Sequence, residues 1–187
     1  MSFRESWILF LHRSATGTRK TRALLTPVGV TIFGAFTAVF VVVALLADRA
    51  LGLPGLLPDG ARLVVSVPLM LLGLAVTAWS VFHFLSAKGT PVPFNPPPEV
   101  VDTGPYRYAR NPMLTGVFLL LFGLGFFFDS ASLVCFFTPL YVLINAWELK
   151  AIEEPELVKR LGEQYVAYRA RTPMFIPGLG PRSKPRG

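Results

Sequence analysis

Polar and apolar positions along the chain do not alternate with the short periods of a soluble fold; they separate into four long apolar runs divided by polar segments. Residues 24–47 carry no charge, and residues 63–85 contain His83 as their only ionisable group. Each reaches the roughly 20 residues that a helix needs to cross a hydrocarbon core. Residues 113–128 and 131–146 are shorter, 16 residues each, and only Asp129 and Ser130 separate them. This pattern predicts a tight helical hairpin whose tip carries Asp129 to the far interface, with tilt or local thinning of the bilayer absorbing the mismatch. The predicted fold class is an all-α membrane protein of about four transmembrane helices, the last two a short hairpin, followed by a cytoplasmic C-terminal helix.

The polar segments are punctuated in distinct ways. Residues 2–11 read either as an amphipathic interfacial helix, with Trp7 and Phe10 as anchors, or as a frayed basic tail. Residues 51–60 are broken by Gly and Pro into turns, and Pro68 lies a turn inside the second span as a candidate kink. Residues 88–101 contain Pro91, Pro93, Pro96, Pro97 and Pro98. Five missing donors and restricted φ angles predict a stiff, extended loop, suited to lining a pocket or to acting as a spacer. The chain therefore divides into residues 1–87, an interfacial segment with two spans, and residues 88–187, where the chemistry concentrates.

Composition agrees with the membrane reading. Hydrophobic residues make up 52% of the 187, charged residues only 16%, and mean hydropathy is +0.53. Of the 18 Lys and Arg residues, sixteen lie in the N-terminal segment, the loop before the third run and the tail; only Arg49 and Arg62 occupy the first opposite loop. The positive-inside rule then puts both termini and the proline loop in the cytoplasm. Topology and anionic headgroups account for most of the net charge of +7, and no soluble face is left to carry a nucleic-acid stripe. The single cysteine, Cys135, lies within an apolar run and reads as a small packing residue. The N-terminal 20 residues have no uninterrupted apolar core, so no cleavable signal is expected and the first span is retained.

Two polar constellations carry candidate chemistry. In the first, Gly104-Pro105-Tyr106-Arg107-Tyr108-Ala109-Arg110-Asn111-Pro112-Met113, Asn111 is placed to cap the third span and Pro112 to open it. The amides at that helix start suit a carboxylate or phosphate, and Tyr106 and Tyr108 offer aromatic faces to a purine or a cation. The same residue types also suit an interfacial anchor belt. In the second, Glu148, Glu153, Glu154 and Glu156 crowd the exit of the last span, before Leu161, Tyr165 and Tyr168. Helical spacing puts Glu153 with Leu157, and Leu161 with Tyr165 and Tyr168. A carboxylate there can hold a cationic group, although a solvated acidic face is the commoner use of such a run.

Together, Gly104-Pro105-Tyr106-Arg107-Tyr108-Ala109-Arg110-Asn111-Pro112 and, across the hairpin, Glu153-Glu154-Pro155-Glu156-Leu157, Leu161-Gly162-Glu163-Gln164-Tyr165, Tyr168, Arg171, Pro173 and Pro177 resemble the integral-membrane methyltransferases. That superfamily contains isoprenylcysteine carboxyl methyltransferase and the phospholipid N-methyltransferases, and the likeness covers residues 88–178. The resemblance implies S-adenosylmethionine as cofactor, held without a dinucleotide-binding domain; no Gly-rich fingerprint occurs in the chain. Its motif positions imply cofactor contacts at Val100, Val101, Tyr106, Asn111, Pro112, Met113, Leu114 and Glu153, with Tyr165 able to cover a ring or the methyl-sulfonium. Arg107 and Arg110 are the candidates to orient an anionic acceptor, and Glu154 is the candidate to support the cofactor beside Glu153.

The resemblance further implies a lipophilic or prenylated acceptor, membrane lipids as partners and a bacterial inner-membrane location, with no metal and no nucleic acid. Carboxyl O-methylation of an isoprenylcysteine-like acceptor is the expected reaction, phospholipid N-methylation the alternative within enzymes, and a non-catalytic membrane scaffold the alternative outside them. Two departures bear on substrate. Asn111 stands where the family usually has His, and Leu149 stands where the prenylcysteine enzymes place an Arg, with Lys150 beside it on a different helix face.

Overall fold

The structure, a computed structural model, describes residues 3–87, 89–90 and 96–176. Lys88, Pro91, Pro93, Pro177 and the basic residues of the extreme tail lie outside the described residues. Among the described residues every regular element is helical: α1 (Phe3–Ala15), α2 (Arg19–Leu51), α3 (Asp59–Ser86), a 3-10 turn (Gly104–Arg107), α4 (Pro112–Phe127), α5 (Thr138–Glu148), α6 (Glu154–Leu161) and α7 (Glu163–Arg171). Three apolar helical stretches are long enough to cross a membrane, Leu24–Leu51, Asp59–Ser86 and Leu133–Leu161; Pro112–Phe127 is a shorter apolar helix. Their outer faces bear large exposed hydrophobic side chains, among them Leu24, Val39, Val64, Leu71 and Phe82. Exposed apolar surface on that scale belongs in lipid.

The hairpin differs from its predicted form in its second arm. A π-helical turn at Leu133–Phe137 opens α5 and another at Leu149–Glu153 joins α5 to α6, so the arm continues unbroken to Leu161. Each π turn immediately precedes a proline-bearing first turn, with Pro139 in α5 and Pro155 in α6. A proline ring within a helix collides with the carbonyl four residues earlier and donates no hydrogen bond. Those carbonyls belong to Cys135 and Ala151, both inside the widened turns. The amide of Glu154 reaches back five residues to the carbonyl of Leu149, and that of Thr138 to Leu133. Widening absorbs the proline where an α-helical register would have kinked.

The C-terminal part also departs from expectation. Instead of one helix folding back, α6 extends the last span and α7 starts anew at Gly162, whose φ of 60° and ψ of −141° end the helix. A backbone in that region favours glycine. Leu161 and Tyr165 therefore belong to different helices. At the other terminus, residues 2–11 fall largely within a formed helix: α1 packs on α6, buries Leu11 and brings His12 Nδ1 to 3.4 Å from Glu156 Oε1, while Trp7 and Phe10 stack on each other outside.

Backbone contact joins α3 to α4. A Cβ built on either Gly73 or Gly116 would lie 2.7 Å from the carbonyl oxygen of the other. Small residues at facing positions let two membrane helices approach this closely. Beside that contact, Leu114, Val117, Phe118, Leu121, Tyr141 and Leu149 form the buried core, with Phe33, Phe40, Met174 and Phe175 packed around it.

Two aspartates tie the opposite end together. Asp129, at the hairpin tip with φ of 54°, accepts hydrogen bonds from the amides of Leu56 (2.8 Å) and Leu57 (3.1 Å) and pairs with Arg62 at 2.8 Å. Asp48 accepts from the hydroxyl of Ser130 and from the amide of Ser132 at 2.9 Å. The loop between α2 and α3 is thus pinned to the hairpin tip, as far as possible from the motif turn.

Gly116→Ala is expected to lower stability by about 1–3 kcal/mol through overpacking, measured as a reduced melting temperature in detergent. Asp129→Ala, which strands two loop amides and leaves Arg62 with Asp59 alone, should cost about 1–3 kcal/mol. Asp129→Asn, which keeps an acceptor and tolerates the left-handed backbone, should cost less in the same measurement.

Candidate active site

The Tyr106 ring seats the motif turn on α3. It lies 4.3 Å from the Phe84 ring, centroid to centroid, while His83 Nε2 and Thr103 Oγ1 are 2.9 Å apart. The Tyr168 hydroxyl, from α7, donates to the Tyr106 carbonyl at 2.6 Å. Residues 173–175 run alongside the start of α4: the amides of Arg110 and Asn111 donate to the carbonyls of Pro173 (2.8 Å) and Met174 (3.0 Å), and the Thr115 hydroxyl donates to Phe175 at 3.0 Å. The two constellations separated in sequence by the hairpin are therefore adjacent in space.

Between them lies a cavity of about 550 Å³. Its walls come from α2 (Thr26, Gly29, Val30, Phe33), α3 (Thr77, Val81, Phe84, Leu85), the proline loop, the motif turn, the start of α4, and the stretch from Asn145 to Tyr168. Of the positions singled out in the sequence, Val100, Val101, Tyr106, Arg110, Asn111, Met113, Leu114, Glu153, Glu154 and Tyr165 all line it. Pro112 is buried in the first turn of α4 and is not part of the lining; Arg107 is exposed on the outside of the 3-10 turn. Tyr108 is 53% exposed, so of the two motif tyrosines only Tyr106 faces inward. Asn111 holds the N-cap position without a side-chain capping bond and sits in the cavity wall instead. Pro97, Glu99, Val100 and Val101 also line a second cavity of about 400 Å³ beside His83 and Asp102, so this loop is a partition between two spaces.

Charge is distributed unequally among the four glutamates. Glu154 Oε1 is 2.8 Å from Arg110 and its Oε2 is 3.5 Å from Arg169. Glu156 is held by Arg160 at 3.1 Å and by His12, and Arg160 also donates to the Pro97 carbonyl at 2.9 Å. Glu148 and Glu153 both line the cavity, and among the described residues neither makes an ion pair or a hydrogen bond. Keeping an ionised carboxylate half out of water with no cation costs several kcal/mol. A cation entering between them would lower that cost.

The phenols of Tyr106, Tyr165 and Tyr168 are all pushed up by burial and stay neutral. Tyr168 and Glu153 add to the effect at Tyr106, Glu154 adds to it at Tyr165, and Tyr165 adds to it at Tyr168. They offer ring faces and hydroxyl donors rather than bases. Leu149 is buried in the core beside the cavity and Lys150 is exposed. Sequence reasoning did not single out the α2 and α3 wall, Asn145, or the cavity positions of Glu148 and Arg160. The signal for Thr77 was a polar residue within an apolar span, and that for Arg160 was its position four residues after Glu156.

Residues 61–164, from the first turns of α3 into α7, match the family model described as phospholipid methyltransferase. The methanethiol S-methyltransferase of Crocosphaera subtropica is 30% identical over 101 residues, covering 54% of this chain and 36% of that protein. The nickel-cobalt-cadmium resistance protein NccN of Alcaligenes xylosoxydans xylosoxydans is 28% identical over 101 residues, 54% of this chain and 43% of that protein. The matched part thus spans under half the length of either relative, and no solved structure matches the chain. The family match takes in α3, the motif turn, the hairpin and the glutamate segment, which build all of the cavity except its α2 wall and the α7 tyrosines, Tyr165 and Tyr168. On the strength of that match, over more than half its length, the chain belongs to the phospholipid methyltransferase family.

Proposed function

We propose that the protein is an integral-membrane methyltransferase that uses S-adenosylmethionine and places the methyl group on a lipophilic acceptor drawn from the bilayer. The observation that carries this reading is the cavity itself, which combines unpaired Glu148 and Glu153 with buried tyrosine rings and an apolar wall contributed by two membrane helices. When bound, S-adenosylmethionine supplies an electrophilic methyl group on a sulfonium. Glu153 is placed to hold positive charge, and Tyr106 and Tyr165 to present ring faces to a cation or an adenine. Val100 and Val101 exclude water from the loop side. Arg110 is neutralised by Glu154, so this pair fixes the start of α4 relative to α6. In-line methyl transfer depends above all on alignment in a dry pocket, and the walls are suited to that task.

Val30, Phe33, Val81 and Leu85 give the cavity an apolar end between α2 and α3, which supports an acceptor with an alkyl or prenyl chain. Carboxyl methylation of an isoprenylcysteine-like acceptor has less support there. Arg110 and Arg160 are occupied by Glu154 and Glu156, and Leu149 stands in place of the expected Arg. Transfer to a lipid amine or to a thiol, the reaction in the name of the Crocosphaera relative, fits the acidic lining better. We place α1, the motif turn, α6 and α7 at the cytoplasmic surface of an inner membrane, because that end collects the basic residues.

Titration calorimetry of the detergent-solubilised protein should show S-adenosylmethionine binding, weakened at least about tenfold, or 1.4 kcal/mol, by Glu153→Gln. No binding, or identical binding by the variant, defeats the proposal. Labelled methyl groups should pass to a membrane lipid extract or a lipophilic thiol in preference to a farnesylcysteine analogue; base-labile products would instead identify an ester and restore the carboxylate acceptor.

A further inference from the structure

Glu148 has no role in the motifs that the chain shares with its family resemblance, yet it occupies the cavity on equal terms with Glu153. Five residues separate the two. On an ideal α-helix that spacing leaves two side chains about 140° apart, and only one could face the cavity squarely. The intervening turn is the π turn at Leu149–Glu153, which closes on the fifth residue and brings both carboxylates to the same wall. The two have different neighbours. Glu153 lies at the join to α6, close enough to Tyr106 to perturb its phenol, whereas Glu148 ends α5, one turn beyond Asn145 and next to the buried Leu149. In α3, on the wall of the same cavity, the Thr77 hydroxyl oxygen is buried and has no hydrogen-bond partner. The lining of the cavity thus adds an amide and a hydroxyl to the Glu148 carboxylate, beside an apolar wall, and no basic side chain pairs with Glu148 among the described residues.

We infer that Glu148 is the acceptor-side catalytic carboxylate: it binds an acceptor whose nucleophilic atom arrives protonated, an amine or a thiol, and takes up that proton. The inference rests on the methyltransferase reading and deepens it. During transfer the N–H or S–H bond breaks and its proton passes to a Glu148 carboxylate oxygen. The electron pair of the nucleophile forms the bond to the methyl carbon. The methyl–sulfonium bond breaks with its pair remaining on sulfur, leaving a neutral thioether. A carboxylate acceptor has no such proton to lose and would be repelled by Glu148, so the same residue selects against it. Glu153 and Glu148 divide the work, one toward the cofactor and the other toward the acceptor.

Binding without cofactor provides a direct test. Calorimetry should show decylammonium bound at least about tenfold more weakly by Glu148→Gln than by the unmodified protein, and decanol bound equally by both. In labelled-methyl assays with decylamine and with decanethiol, Glu148→Gln should lose roughly 10²–10⁴-fold in rate while its S-adenosylmethionine affinity stays within about threefold. Glu148→Asp should recover part of the rate, and the preferred acceptor of the two identifies the nucleophile. Decylammonium binding that is indifferent to Glu148→Gln, or an unchanged transfer rate, overturns the role of Glu148 and leaves the methyltransferase reading standing. Loss of decanol binding together with decylammonium binding shows a merely structural effect and also overturns it. Failure of the unmodified protein to bind S-adenosylmethionine overturns both readings.

Discussion

The backbone contact between Gly73 and Gly116 sets the frame on which everything else is hung. Two helices that touch main chain to main chain have no freedom to slide, because any side chain interposed would have to overlap a carbonyl. The motif turn is fastened to α3 by Tyr106 on Phe84, and the tail segment is fastened to the start of α4 by the paired amides of Arg110 and Asn111. Fixing α3 against α4 therefore fixes the two polar constellations against each other. Far from the cavity, Asp48 and Asp129 do the complementary task, holding loops that would otherwise let the same helices splay.

Within that frame, the chemistry follows from which charges are satisfied and which are not. Arg169 of α7 and Arg110, just ahead of α4, reach Glu154 on α6, while Arg160 pairs with Glu156 one turn back along α6 itself. They act as struts, whose removal would leave a half-buried charge stranded. Glu148 and Glu153 have no such partner among the described residues. Unpaired and paired carboxylates thus follow one another along a stretch of nine residues, and the difference is made by geometry, since all four side chains are chemically the same.

Much of the frame was legible in the sequence because lipid imposes a simple rule: charge-free runs of sufficient length mark spans. The positions of α2, α3 and α4 followed from that rule, as did the adjacency of the motif loop and the glutamate segment once the hairpin was recognised. The extent of the last arm did not. The apolar run stops at Ala146, whereas π turns ahead of Pro139 and Pro155 carry the helix itself through to Leu161. Gly162 was readable as a helix terminator but was taken as part of a continuous face, so Leu161 and Tyr165 were assigned to one helix. Arg107 and Tyr108 looked equivalent to Arg110 and Tyr106 because a 3-10 turn distributes successive side chains in and out by a geometry that residue types do not announce. The α2 wall was hidden for another reason: apolar residues that face a cavity and apolar residues that face lipid read alike.

Pro155 has a consequence out of proportion to its chemistry. It bears no polar group and touches no reacting atom, yet the widened turn that accommodates it sets the azimuth of every residue on its N-terminal side relative to those beyond it. If the turn relaxed to α-helical pitch, Glu148 would rotate away from Glu153, with no acidic residue altered. The spacing of the two carboxylates is in this sense stored as helical phase, and a comparison of related chains that scored only their acidic residues would pass over the residue that keeps those acids in step.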